Sequence, residues 1–246
     1  MIISKKNKYI FIGHPSSGGT AIMNELIENY DGKTLYHKHC NYPALINNSD
    51  IKNLSDYYVF GVVRDPIDKA FSEYCKIKYN SRNQYTNKDL FIENGGNVSK
   101  KMREVYQDIK KLHSFEEYLR YRYSIKLYHD WVTINAPYLN GIIRFNNLSH
   151  DFKSTLKHLK IEIKRDLPYI NKTNKKDSEM KIDEKLKHKI FGPYYNFNNH
   201  LFNIKYQKKV PFFSSMYYNI LVFLHKLIVS KKDQKFINEK RGLNHK

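Results

Sequence analysis

The sequence predicts a single α/β domain, a central parallel sheet flanked by helices. Three observations lead there. A strand-loop-helix unit occurs twice, once from Lys8 and again from Tyr57, and a third short strand, Gly141 to Phe145, is followed by a further helix. The chain has 246 residues with 41% apolar and 15% aromatic side chains, enough for one sizeable core. Strands that alternate with helices pair in parallel, and such sheets take ligands at the carboxyl ends of their strands.

In chain order, Lys8 to Gly13 is an apolar run that ends in a Gly/Ser/Pro loop. It leads into a helix over Thr20 to Tyr30, whose Ile22, Leu26 and Ile27 share one face. Tyr57 to Val63 is a second buried-type strand, closed by Arg64-Asp65-Pro66, with a helix beginning near Asp68. Tyr9, Phe11, Tyr58 and Phe60 occupy strand positions and belong to the core. Asn80 to Lys101 is polar, contains Gly95-Gly96, and reads as a mobile loop or an insertion over a site. Met102 to Trp131 is helical in pattern, with Phe115, Tyr118 and Leu119 spaced for a core face, and Asp151 to Leu159 is a further helix. No composition break divides the chain, so 1–210 reads as one domain and 211–246 as a helical extension packed on it. Pro211 to Ser230 is apolar but interrupted by Ser214, Ser215, Asn219, His225 and Lys226. It suits a packed or partner-facing helix, with weak membrane-surface contact through 211–230 as the second reading and a transmembrane span as the least favoured.

Lys and Arg number 43 against 24 Asp and Glu, a net charge of +19, so the surface seeks anions: nucleic acid, phosphorylated nucleotide, acidic polysaccharide or anionic lipid. The basic residues are dispersed, with no zinc spacing, glycine-aromatic signature or basic heptad region. Nucleic acid is therefore not the expected partner. The two cysteines, Cys40 and Cys75, have no metal or redox spacing around them, which points to a reducing compartment and no metal site. The start of the chain runs from a short basic lead into an apolar strand without a signal sequence, and a cytoplasmic location is expected.

Chemistry concentrates in two loops. Gly13-His14-Pro15-Ser16-Ser17-Gly18-Gly19-Thr20 has the frame of a phosphate loop, with Gly19 where a nucleoside triphosphatase carries its lysine. Small residues between a strand and a helix let backbone N–H groups and the helix's positive end converge on an anion without that lysine. Its loss argues against ATP or GTP hydrolysis. In the second loop, Arg64 stands at a strand end and Ser72 two helical turns later, where both suit one phosphate.

The pair IFIGHPSSGGTAI and VVRDPIDKAFSEY resembles the sulfotransferases that use 3′-phosphoadenosine 5′-phosphosulfate (PAPS). Their signatures are P-K-x-G-[TG]-[TS] and R-[DN]-P-x-x-R-x-x-S-x-[YF]. The segments LYHKHCNY at 35–42, IIRFNNL at 142–148 with Asp151-Phe152, and LPYINKT at 167–173 look like those of the carbohydrate branch. The resemblance covers about residues 8–206 and implies a P-loop-like, sulfotransferase-type fold. It further implies PAPS as co-substrate, no metal, and a carbohydrate or other hydroxyl acceptor, which on a basic surface suits an anionic glycan.

Carried over residue by residue, the resemblance assigns Pro15, Ser16, Ser17, Gly18, Gly19 and Thr20 to the 5′-phosphosulfate and Arg64 with Ser72 to the 3′-phosphate. His39, or failing that His37, becomes the general base for the acceptor hydroxyl. The chain departs from the pattern where the loop lysine should be: Ser16 stands there. Lys38, Lys172 or His14 is then the candidate for the missing cation. The alternatives are a nucleotide-binding relative without turnover and a basic nucleic-acid-binding protein.

Overall fold

Residues 2–12 fold as a hairpin. Strands β1 (Ile2–Ser4) and β2 (Tyr9–Ile12) pair antiparallel, with Ile2 opposite Phe11 and Ser4 opposite Tyr9. Ser4 Oγ accepts the Asn7 amide at 3.0 Å and closes the turn. Strand β3 (Lys33–Thr34) pairs antiparallel with β1, while β4 (Tyr58–Val63) runs parallel to β2 and β5 (Gly141–Arg144) parallel to β4. The sheet order is β3-β1-β2-β4-β5. The sheet is therefore mixed, which corrects the expectation of a parallel sheet. The short connection from Ser4 to Tyr9 cannot make the crossover that a parallel pair requires, so β1 and β2 pair as an antiparallel hairpin.

This computed structural model describes residues 1–48, 51, 53–124, 127–168, 180–202 and 210–243. Its helices are α1 (Gly19–Asn29), α2 (Tyr42–Asn48), α3 (Pro66–Lys78), α4 (Lys100–Lys111), α5 (Phe115–Arg122), α6 (Val132–Asn135), α7 (Leu148–His158), α8 (Glu184–Phe197), α9 (Asn199–Phe202) and α10 (Phe212–Leu243). The chain divides into two compact units, one within 1–65, 129–170 and 194–246, the other within 66–128 and 171–193.

The first unit holds the sheet. Against one face, Ile22, Met23 and Leu26 of α1 and Phe152 and Leu156 of α7 pack with Phe11, Phe60 and Ile143. The other face buries Ile3, Ile10, Ile12 and Val59 with Cys40 and Leu45. Ile27 is 45% exposed, contrary to the helical face expected of it, whereas the Glu25 side chain is fully buried. At 100° per residue, Ile27 lies about 140° round the helix from Ile22 and Glu25 only about 60°. Arg165 at 2.7 Å and Asn29 at 2.7 Å satisfy the buried carboxylate.

Helix α10 is seated in this unit by Tyr218, which is buried and whose hydroxyl lies 3.4 Å from Thr133 Oγ1. The His225 ring lies 4.6 Å from that of His129, tilted by 40°. Burial, with His129 adding to it, lowers the His225 pKa from 6.5 to about 4. The unfolded chain then binds the extra proton, so this contribution to stability is present above pH 6.5 and is lost as pH falls toward 4. The thermal midpoint is expected to drop across that window, and His225→Gln to flatten the drop, as measured by circular dichroism at graded pH.

The second unit is helical. Phe71 and Tyr74 of α3 meet Phe115 and Tyr118 of α5, with ring centroids 5.1 Å apart for Phe71–Phe115 and 5.3 Å for Tyr74–Tyr118. Residues 80–101, expected as a mobile loop or an insertion over a site, hold short 3₁₀ turns at Ser81–Asn83, Lys88–Leu90 and Ile92–Asn94. Backbone bonds such as Val98 N to Leu90 O at 2.8 Å and the Arg103–Glu93 ion pair at 2.7 Å tie them down. The helix expected over 102–131 is broken after Lys111, because Ser114 starts a new one. Its Oγ accepts the Glu117 amide at 3.1 Å as an N-cap, and Glu117 Oε2 reaches back to accept the amide of His113, the residue before the cap, at 2.8 Å.

Candidate functional site

Three neighbouring parallel strands, β2, β4 and β5, point their carboxyl ends the same way, and the residues that leave them meet. The loop 13–20 leaves β2, Arg64 leaves β4 and Phe145 leaves β5. In the loop, Ser16 (φ 57°) and Gly18 (φ 80°) take left-handed conformations, and Gly18 precedes the first turn of α1. A side chain on Gly18 would strike the Phe145 ring, 2.9 Å from an ideal Cβ, so the glycine answers both a backbone and a packing demand. No acidic residue occupies the first turn of α1, which leaves its positive end uncompensated. Ser17 is buried and its hydroxyl donates to His14 O at 2.7 Å, so its side chain braces the turn, whereas Ser16 is exposed and Pro15 half-buried.

Arg64 is 7% exposed. Its Nη1 donates to Ser16 O at 2.9 Å, and its guanidinium lies 4.0 Å over the Phe145 ring. The arginine thus holds the phosphate-type loop directly, through a carbonyl and a shared aromatic ring. Asp65 beside it accepts the Tyr195 hydroxyl at 2.5 Å. Ser72 lies buried on α3, in the second unit. Lys172 falls outside the described residues, as does most of the 167–173 segment.

The turn between β3 and α2 brings two more candidates to the same loop. Lys38 is exposed, and its Nζ donates to Thr20 Oγ1 at 3.0 Å. His39 Nδ1 lies 2.7 Å from Gly13 O. A carbonyl can only accept, so Nδ1 carries the proton and Nε2 is left as the basic nitrogen. Burial lowers the His39 pKa below the ordinary 6.5, against the pull of the Gly13 bond, and the nearby charges of Lys38, the chain's amino group and His37 lower it further. His37 supports this turn: its Nδ1 accepts the His39 amide at 3.3 Å, and its carbonyl and that of Lys38 accept the Met1 nitrogen at 2.8 and 2.9 Å.

His14, the third candidate for the missing cation, is buried with Nδ1 2.9 Å from Val62 O and Nε2 3.2 Å from Asn135 Nδ2. A carbonyl only accepts, so Nδ1 carries a proton, and the ring is held in the buried interior between Val62 and Asn135. Asn135 is the centre of that network. It is fully buried, its Oδ1 accepts the Tyr42 amide at 2.8 Å, and its Nδ2 also donates to Asn41 Oδ1 at 2.8 Å. Asn135→Ala leaves the buried Tyr42 N–H without its acceptor and is expected to cost about 2–4 kcal/mol, measured by urea unfolding. Asn135 lies beyond the helical pattern over 102–131 and in no motif, and Phe145, within the IIRFNNL segment, was given no role and reads as the last residue of a strand.

Comparison of the chain with protein-family models, with curated proteins and with solved structures finds no match.

Proposed function

We propose that this protein transfers a sulfuryl group from PAPS to a hydroxyl of a carbohydrate acceptor, without a metal ion. The reading rests on the resemblance of the two loop motifs to PAPS-dependent sulfotransferases. The observation that carries it further is the pairing of one cation and one neutral imidazole on the phosphate-type loop, Lys38 on Thr20 and His39 on Gly13. In this mechanism His39 Nε2 takes the proton of the acceptor hydroxyl as the new O–S bond forms. The backbone N–H groups of 17–20 and the positive end of α1 hold the 5′-phosphate as its bond to sulfur breaks. Lys38 neutralises the charge that develops on the leaving phosphate, the task that the usual loop lysine would perform from the position of Ser16. Adenosine 3′,5′-bisphosphate is then the product that dissociates, and Arg64 is assigned to its 3′-phosphate.

Calorimetry with adenosine 3′,5′-bisphosphate and ATP, followed by labelled-sulfate transfer from PAPS to a panel of glycans, tests the proposal. Preference for the bisphosphate and transfer of label are expected; preference for ATP, or for neither nucleotide, overturns it. Arg64→Ala is expected to weaken bisphosphate binding by about 1.5–3 kcal/mol, because a charge-assisted contact disappears and the loop loses its bond at Ser16 O. Unchanged affinity in a folded variant would remove the second motif from the site.

A further inference from the structure

We infer that helix α10 docks the protein on an anionic lipid bilayer, lying in the plane of the surface. The first turns of this helix are apolar on two opposite sides. One side, Tyr218 and His225, packs into the first unit. The other is bare: Phe212 is 74% exposed, Phe213 76%, Ile220 48%, Phe223 61%, Leu224 47% and Ile228 65%. At 100° per residue these six fall within an arc of about 160°, and Tyr218 and His225 lie outside it. An exposed apolar patch of this size on one helix face marks a binding surface.

Its breadth and its charge select the occupant. A seam between two helices uses a narrow stripe at two positions in seven, whereas a face this wide suits a plane. Residues 211–246 carry seven Lys and Arg against two acidic residues, and the whole chain is +19. A second copy of the chain would bring two such basic surfaces together, while an anionic bilayer complements them. Lys231, exposed, continues the same arc beyond Ile228 and can reach lipid headgroups. No helix among the described residues is long and apolar enough to cross a membrane.

The test is co-sedimentation of the full chain with vesicles of phosphatidylcholine alone and of phosphatidylcholine with about a third phosphatidylserine, at low and at high salt. Binding to the anionic vesicles is expected to exceed binding to neutral ones by about tenfold or more, to weaken with salt, and to fall about tenfold in a Phe213→Ser, Phe223→Ser, Ile228→Ser variant whose thermal midpoint is unchanged. Hydrogen exchange on the unaltered protein gives a second reading, because amides of 212–228 should slow when anionic vesicles are added. The inference is overturned if vesicles are ignored, if the triple variant binds them as well as the parent, or if exchange over 212–228 is unaffected. It is likewise overturned if sedimentation velocity shows a dimer that the triple variant abolishes while vesicles go unbound.

Discussion

Lys38→Ala is expected to lower sulfuryl transfer from PAPS by tens to about a thousandfold, the cost of removing about 2–4 kcal/mol of charge stabilisation at a leaving oxygen. The ammonium sits at Thr20 Oγ1, on the loop where the resemblance to sulfotransferases would place a lysine and Ser16 stands. Lys38 is exposed and bonds only a side chain on the surface of the loop, so the variant should fold and melt as the parent does. Ser16→Lys is the companion experiment. If Lys38 supplies the charge, a second cation crowds the site and turnover stays level or falls. If nothing supplies it, Ser16→Lys raises turnover by tens to about a thousandfold and Lys38→Ala changes little. A severe loss in Lys172→Ala with an indifferent Lys38→Ala would move the role to Lys172. The labelled-sulfate assay on the four proteins separates these outcomes.

His39→Ala should reduce transfer by about a hundredfold or more while leaving the affinity for adenosine 3′,5′-bisphosphate unchanged, because a general base acts in the transition state. The pH dependence gives an independent check. Burial and the neighbouring cations hold the His39 pKa below 6.5, so the imidazole stays neutral as pH falls through that value. The rate should remain level there and decline only at lower pH, when Nε2 becomes protonated, and His39→Ala should lose that acid limb. If His37→Ala produces the loss instead, the base is reassigned. The geometry argues otherwise, because His37 Nδ1 is engaged by the His39 amide.

Local chemistry made much of the fold legible. The apolar runs at 9–12, 58–63 and 141–144 are strands, and the glycine-serine loop after the first leads into α1, as short-range patterns predict. The Ser114-x-x-Glu117 cap was equally local and marks where the long helical pattern over 102–131 divides. Missing it merged two helices into one. The mixed sheet was also within reach, since the connection after Ser4 is too short for anything except a hairpin.

The motifs singled out the loop 13–20 and Arg64, but not what Arg64 touches. Its contact with Ser16 and Phe145 depends on the register that sets Ile12 beside Gly61 and Val63 beside Arg144, across connections tens of residues long. The same holds for Lys38. In the sequence it was one of three candidate cations, and the path of the chain from β3 back to the end of β2 carries it to Thr20. The fold also buries His14 against Asn135, 121 residues away. Residue type and spacing by themselves determined the strand-loop-helix frame around 13–20 and left open which cation stands beside it. Only the tertiary structure brings Lys38 to Thr20, because a charged side chain acts over a few ångströms and the path of the chain decides which one comes that close.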